Sequence, residues 1–118
     1  MKTILIADDS PSIRRLTETV LKSKGYNVLS AKDGREALKL AFENNIDAIV
    51  ADEEMPKLTG SELFKILRTD PEKKDIPLIM ISGLTAENDK PVSQFADVFI
   101  RKNTDLKSQL AAAIDKLL

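Results

Sequence analysis

Five short apolar runs recur along the chain, and longer segments of mixed polarity separate them. The runs cover residues 3–7, 27–31, 47–51, 77–82 and 97–101. Runs such as TILIA (3–7) do not alternate between polar and apolar residues, which is typical of strands buried on both faces of a sheet. The pattern therefore predicts five buried strands that are separated by four intervening segments.

The segments between the runs carry apolar residues at helical spacing. In the first of them, Ser10 is placed to act as N-cap, Pro11 suits the first helical position, and Gly25 is a typical helix end. Further helices are expected from 33–34 to 44–45, from 59–60 to just before 71, and from about Thr104 onward. The positions expected to face the core are Ile13, Leu16, Val20 and Leu21 in the first helix, Ala37, Leu38, Ala41 and Phe42 in the second, Leu63, Ile66 and Leu67 in the third, and Leu106, Leu110, Ala113, Ile114 and Leu117 in the last.

The segment between the last two strands is the poorest helix former. It contains Pro91, and proline is tolerated only in the first turn of a helix. We expect a loop to about residue 89 and then a short, irregular fourth helix. Alternation of strand and helix predicts an α/β fold with a doubly wound, five-stranded parallel sheet, helices on both faces and the flavodoxin-like strand order 2-1-3-4-5. With 118 residues, one domain spanning 1–118 is expected.

Composition narrows the possible chemistry. The 18 basic and 19 acidic side chains nearly cancel, which argues against direct nucleic-acid binding, and no apolar run approaches the ~18 residues that membrane insertion requires. The chain has no cysteine and no histidine, so thiolate chemistry, imidazole acid–base chemistry and zinc sites of the usual type are excluded. A bound metal would be a hard ion held by oxygen ligands, Mg²⁺ or Ca²⁺. The lack of cysteine suits a cytoplasmic location.

Polar residues with potential chemistry follow four of the predicted strands. Asp8 and Asp9 follow the first strand and Asp52 the third, while Ser82 ends the fourth and Lys102 follows the fifth. Ligands of open α/β sheets bind beyond the carboxyl ends of the strands, so these side chains are expected to converge. Two carboxylates ~4 Å apart repel by ~4 kcal/mol at an effective dielectric constant of ~20, which favours a cation among them. Carboxylates, hydroxyl and ammonium together indicate phosphoryl transfer onto a carboxylate assisted by Mg²⁺.

Four motifs in the same order give the chain a family resemblance. They are ILIADDS with its acidic pair, DEEMP with Gly60 four residues after Pro56, ISG with a hydroxyl, and FIRK with a lysine. The whole chain resembles the receiver domain of two-component response regulators of the chemotaxis-regulator type. The resemblance implies a phosphoprotein of a two-component system or phosphorelay, which acts in signal transduction through an aspartyl phosphate.

The resemblance also implies a role for each residue of the site. Asp52 is expected to be the phosphoacceptor, and Asp52 and Asp9 are expected to bind Mg²⁺ directly. The remaining roles fall to the backbone carbonyl of Glu54 as a further metal ligand, Asp8 as a ligand through water, Ser82 as the switch hydroxyl, Lys102 as a contact to the phosphoryl group, and Phe99 as the switch aromatic.

The implied partners follow from the same resemblance. The phosphoryl donor would be a sensor histidine kinase or a histidine phosphotransfer protein, since this chain has no histidine to carry the group. An output partner or a fused output domain, neither identified, would read the phosphorylated state, and a phosphorylation-dependent homodimer is left open. The domain would be a switch that assists its own phosphorylation and dephosphorylation, not an enzyme.

The chain departs from the family pattern around the last two strands. Asn103 follows Lys102, where receivers usually have a proline, and Gly83 follows the hydroxyl. Pro91 and Phe95, where a glycine is common, also set the surroundings of the fourth helix apart. Asn103 and this altered helix raise the alternative of a degenerate receiver that binds partners without phosphorylation. A haloacid-dehalogenase-like phosphatase is a further alternative, although that family places an aspartate where this chain has Glu54.

Each site residue also has a structural interpretation. The pair Asp8–Asp9 is favoured near a helix N-terminus by the helix dipole, and Asp52 is suited to a solvated strand end. Ser82 fits a turn, Lys102 the solvated surface and Phe99 the core. The side chains of Glu53 and Glu54 are expected to be solvated.

Overall fold

The five predicted strands form one parallel sheet in the order β2-β1-β3-β4-β5, as expected. The computed structural model describes residues 1–83, 95–102 and 105–118. The strands are β1 (Thr3–Ala7), β2 (Asn27–Ala31), β3 (Ala48–Asp52), β4 (Leu78–Ser82) and β5 (Val98–Arg101). Non-consecutive neighbours such as β1 and β3 require crossover connections, and the helices supply the described ones.

Four helices are present in the described part of the chain. They are α1 (Pro11–Ser23), α2 (Gly34–Glu43), α3 (Gly60–Thr69) and α4 (Leu106–Leu117). Each begins at a side-chain N-cap, which is Ser10, Asp33, Thr59 and Asp105 in turn. The predicted irregular helix around Pro91 lies outside the described residues, as do Asn103 and Thr104. None of the described helices combines the length and hydrophobicity that crossing a membrane requires.

The sheet separates two apolar clusters, one on each face. One cluster packs between the sheet and the helices α2 and α3, and it includes Leu5, Ile49 and Phe64. The other packs between the sheet and the helices α1 and α4, and it includes Ile6, Val50 and Leu110. All residues of β3 and β4 are buried, which explains why their sequences are apolar without alternation.

Three details differ from the sequence-based expectations. Phe42 and Ile66, predicted to face the core, are 46% and 37% exposed, because Ala41 and Leu67 beside them take the positions that point inward. Leu117 is only partly buried. Strand β3 was expected at 47–51 but runs from Ala48 to Asp52, and β4 and β5, expected from 77 and 97, each begin one residue later. Asp47 stays outside it, at the surface, where its carboxylate accepts a hydrogen bond from the Thr3 amide (2.8 Å).

Candidate functional site

Parallel pairing brings the carboxyl ends of the central strands to one edge of the sheet. Asp52 is the last residue of β3 and lies beside Ile81 of β4, while Ser82 pairs with Arg101 at the end of β5. Asp52 is 1% exposed, so its interpretation as a solvated strand end is wrong. Asp8, directly after β1, is 2% exposed. The edge therefore buries carboxylates that an ordinary surface turn would leave in water.

Three of these carboxylates form a compact acidic cluster. One oxygen from each of Asp8, Asp9 and Asp52 lies within 4.8 Å of the other two. Two oxygens bound to one Mg²⁺ at 2.0–2.1 Å can be at most ~4.2 Å apart, so small side-chain rotations bring two of them onto one ion. The third can reach it through a water molecule. An all-oxygen cluster of this size fits magnesium.

Burial makes the acidic cluster costly without a cation. The pKa of Asp8 is raised to about 6, chiefly because its carboxyl group is buried, and the nearby charge of Asp52 raises it further. The amide of Ser10 donates to Asp8 Oδ1 at 2.9 Å and partly offsets this effect. Arg14, the nearest arginine in sequence, donates to the backbone carbonyl of Asp8 at 2.8 Å. The arginine thus orders the turn after β1.

The ammonium group of Lys102 reaches the cluster. Its Nζ lies 2.8 Å from Asp52 Oδ2, and the Glu54 amide donates to the other oxygen, Oδ1, at 3.3 Å. Burial raises the pKa of Asp52, although Lys102 opposes this rise. Burial lowers the pKa of Lys102, but its hydrogen bond to Asp52 and the charge of that carboxylate outweigh this, and the net pKa is raised. The lysine is therefore a cation directed at Asp52, in contrast to its interpretation as solvated surface.

Ser82 and Phe99 lie on the strands next to Asp52. Ser82 is fully buried, and its carbonyl accepts a hydrogen bond from the Lys102 amide at 2.9 Å, which ties the end of β5 to β4. Phe99 is half-buried, pairs in register with Met80, and packs against the cluster on the α2 and α3 side. Its position agrees with core packing, and its role as a switch stays a prediction.

The connection between β3 and α3 contains a residue that sequence reasoning misjudged. Glu54 is exposed, as expected. Glu53 is not a solvated side chain, because it is half-buried and its Oε1 accepts a hydrogen bond from the Ser61 amide at 2.6 Å. Burial raises the pKa of Glu53. The only signal in the sequence is an acidic residue shortly before a helix start. This signal does not reveal that the chain turns back so that Ser61, eight residues later, contacts Glu53.

Comparisons with known proteins agree with this geometry. Residues 4–115 match the family described as the response regulator receiver domain. The chain is 36% identical over 116 residues to the gliding motility regulatory protein of Myxococcus xanthus, covering 97% of this chain and 15% of that protein. It is 43% identical over 89 residues to the alkaline phosphatase synthesis transcriptional regulatory protein PhoP of Bacillus subtilis, covering 75% and 36%. The chain thus spans only a minor part of such relatives.

Solved structures resemble the fold over its full length. The chemotaxis response regulator CheY4 of Vibrio cholerae has a TM-score of 0.91 and 32% identity, covering 100% of this chain and 99% of that one. The response regulator TrrA of Thermotoga maritima, solved in complex with Mg²⁺-BeF, has a TM-score of 0.89 and 35% identity, and the match covers both chains completely.

Proposed function

Because the chain belongs to the response regulator receiver family of two-component signalling, we propose that it accepts a phosphoryl group on the carboxylate of Asp52. The observation that carries the proposal is the burial of Asp52 between an acidic cluster and the ammonium of Lys102, 2.8 Å away. A carboxylate in this setting is kept from water yet has a cation beside it. We further propose that residues 1–118 form one phosphoacceptor domain.

The residues of the site divide the work of phosphoryl transfer. An oxygen of Asp52 attacks phosphorus in line, a P–O bond forms, and the bond from phosphorus to the nitrogen of a phosphohistidine donor breaks. Asp9, Asp52 and the Glu54 carbonyl would hold Mg²⁺ directly and Asp8 through water, and the bound ion would supply positive charge to the phosphoryl oxygens. The ammonium of Lys102 pairs with the Asp52 carboxylate before the reaction and with a phosphoryl oxygen afterwards, because it is a compact charge on a flexible side chain. The Ser82 hydroxyl donates to another.

The product of the reaction is the phosphorylated domain itself, which acts as a signal. The added phosphoryl group carries about −1.5 to −2 charges, which draws Ser82 and Lys102 toward it and biases a two-state surface that includes Phe99. A sensor histidine kinase or histidine phosphotransfer protein supplies the group, and hydrolysis of the acyl phosphate resets the domain. We accordingly propose a switch, not an enzyme with turnover of its own.

Phosphorylation itself is the direct test. The protein is incubated with Mg²⁺ and a small acyl phosphate, and its intact mass is followed beside that of Asp52→Asn. The wild type should gain one phosphoryl group and Asp52→Asn none, because an amide oxygen is a poor nucleophile. Asp115→Asn, a remote and exposed aspartate, is the matched control and should behave as the wild type does.

Two other results would point to the alternatives. No mass gain in the wild type, with Mg²⁺ bound, would indicate a degenerate receiver that acts without phosphorylation. Steady phosphate release from many phosphate esters at enzyme-like turnover would indicate a phosphatase instead.

A further inference from the structure

Glu53, the first residue of the β3–α3 connection, is hydrogen-bonded to both β4 and α3. Its amide donates to the Ile81 carbonyl of β4 (3.1 Å), and its own carbonyl accepts from the Gly60 amide (3.1 Å). Its side-chain Oε1 accepts from the Ser61 amide at 2.6 Å, which is shorter than the usual ~2.9–3.0 Å for an amide donor. All three bonds anchor a residue that lies between the phosphoacceptor and Glu54.

The start of α3 depends on Glu53 for two of its first three amides. The first amides of a helix have no partner within the helix, and each needs an external acceptor. The amides of Gly60 and Ser61 use the carbonyl and the carboxylate of Glu53, while the Glu62 amide uses the Thr59 hydroxyl (3.1 Å). Residues 53–60 therefore form a closed loop, and Glu53 is its closing point.

The closed loop rests directly against Asp52. A Cβ atom at Gly60 would lie 2.5 Å from the Asp52 carbonyl oxygen, so the start of α3 touches the Asp52 peptide. On the other side of Glu53, the Glu54 amide donates to Asp52 Oδ1 at 3.3 Å. A displacement of Glu53 would therefore shift both the Asp52 carboxylate and the peptide that bears the Glu54 carbonyl.

We infer that Glu53 is a positioning residue for the phosphorylation site, which it serves by tying the start of α3 to the segment that carries Asp52 and Glu54. The inference rests on the proposed function, because it assigns Glu53 the task of orienting groups that bind Mg²⁺ and accept the phosphoryl group. Glu53 does not itself touch the reacting atoms. Mutation of a group that orients metal ligands typically weakens metal binding by about 10–100-fold.

The test compares two caps of the same helix. Glu53→Ala removes the acceptor for the Ser61 amide, and Glu53→Gln keeps an amide oxygen in its place. Thr59→Ala removes the acceptor for the Glu62 amide at the same helix end, but it leaves the bonds between Glu53 and α3 intact. Should Glu53→Ala not fold, Glu53→Met preserves the side-chain length without a strong acceptor.

Three quantities are measured for each variant: the urea midpoint, the Mg²⁺ dissociation constant by calorimetry, and the rate of phosphorylation by a small acyl phosphate. We expect Glu53→Ala to bind Mg²⁺ about tenfold more weakly and to be phosphorylated about tenfold more slowly. Glu53→Gln should stay within about threefold of the wild type. Thr59→Ala should lower the urea midpoint as Glu53→Ala does, yet keep the wild-type Mg²⁺ affinity and rate.

The outcomes separate this inference from the proposed function. If Glu53→Ala and Thr59→Ala lose stability alike and both keep the wild-type Mg²⁺ affinity and rate, Glu53 is only a helix cap and the inference is wrong. If the wild type neither binds Mg²⁺ nor gains a phosphoryl group, the proposed function fails and the inference fails with it. Hydrogen exchange of the Ser61 amide without Mg²⁺ reports the hydrogen bond itself, and unchanged protection in Glu53→Ala would also contradict the inference.

Discussion

Charged side chains at the two ends of the sheet differ in how they are compensated by their surroundings. At the amino end, Arg68 at the end of α3 donates hydrogen bonds to the carbonyls of Phe95, Lys74 and Ile76 (3.2, 2.8 and 2.9 Å) and to the Asp97 carboxylate (2.8 Å). At the carboxyl end, Asp8 is almost wholly buried and has no ion pair within the described residues. At the amino end, the guanidinium of Arg68 donates several hydrogen bonds, whereas at the carboxyl end the buried carboxylate of Asp8 has no paired cation within the described residues.

The difference indicates what each end contributes. The partly exposed charge of Arg68 adds to stability only if its hydrogen-bonding partners are kept, and these partners lie in the segments directly before β4 and β5. A buried carboxylate without a cation lowers stability, and binding of a cation recovers that loss. The amino end therefore contributes to stability, whereas the acidic cluster at the carboxyl end would be stabilised by a bound cation.

Loss of Arg68 should have the largest effect on stability. Arg68→Ala leaves three backbone carbonyls without this donor and Asp97 without its ion pair, and we expect a loss of about 2–3 kcal/mol, moderated because Arg68 and Asp97 are partly exposed. Urea unfolding measures it. Lys65→Ala, an exposed lysine of the same helix, is the control and should change stability by less than ~0.5 kcal/mol. If Arg68→Ala and Lys65→Ala lost equal stability, the hydrogen bonds of Arg68 would not be the stabilising feature of the amino end of the sheet.

Removal of the Asp8 charge should raise stability, whereas loss of Arg68 lowers it. The pKa of Asp8 is raised from 3.8 to about 6, so the folded state binds more protons between these values and stability falls as pH rises through this window. In the presence of EDTA, Asp8→Asn should therefore stabilise the protein at pH 7.5 by about 1–2 kcal/mol, a value reduced for solvent screening, and by much less at pH 4. Urea midpoints at both pH values measure it.

Two comparisons sharpen the Asp8 experiment. Asp9→Asn removes the same charge from an exposed neighbour and should not reproduce the stabilisation, so an equal gain would mean that net charge and not burial is responsible. With Mg²⁺ at about 100 times its dissociation constant, the wild type should gain ~2.7 kcal/mol at pH 7.5. A gain of the same size in Asp8→Asn at the same Mg²⁺ concentration would contradict a role for Asp8 at the ion.

An exposed pair gives the smallest effect. Lys24 Nζ lies 2.8 Å from Asp115 Oδ1, but the Asp115 side chain is 67% exposed. Water screens this pair, so Lys24→Gln should change stability by about 0.5 kcal/mol or less. A loss comparable to that of Arg68→Ala would show that the proximity of opposite charges, and not the number of hydrogen bonds that the cation donates, decides the contribution to stability.

The sequence determined the fold and the composition of the site. Unbroken apolar runs are required when a strand is covered on both faces, so residues 3–7 and 77–82 identify interior strands without any structure. Parallel strands bring their carboxyl ends to one edge, so Asp8, Asp52 and Lys102 could be expected together from their positions alone. The N-cap Ser10 was likewise readable, because capping acts over three residues.

Only the tertiary structure decided what burial and long-range contacts do to these residues. Phe42 and Ile66 satisfy a helical pattern, but which side of a helix touches the sheet depends on how the layers pack, and both are exposed. The charge state of Asp8 depends on desolvation, which no local pattern reports. Glu53 reads as a solvated acid, and it becomes the closing point of the β3–α3 loop because α3 returns to meet it. Local signals specify elements, whereas burial and the meeting of distant segments exist only once the chain has folded.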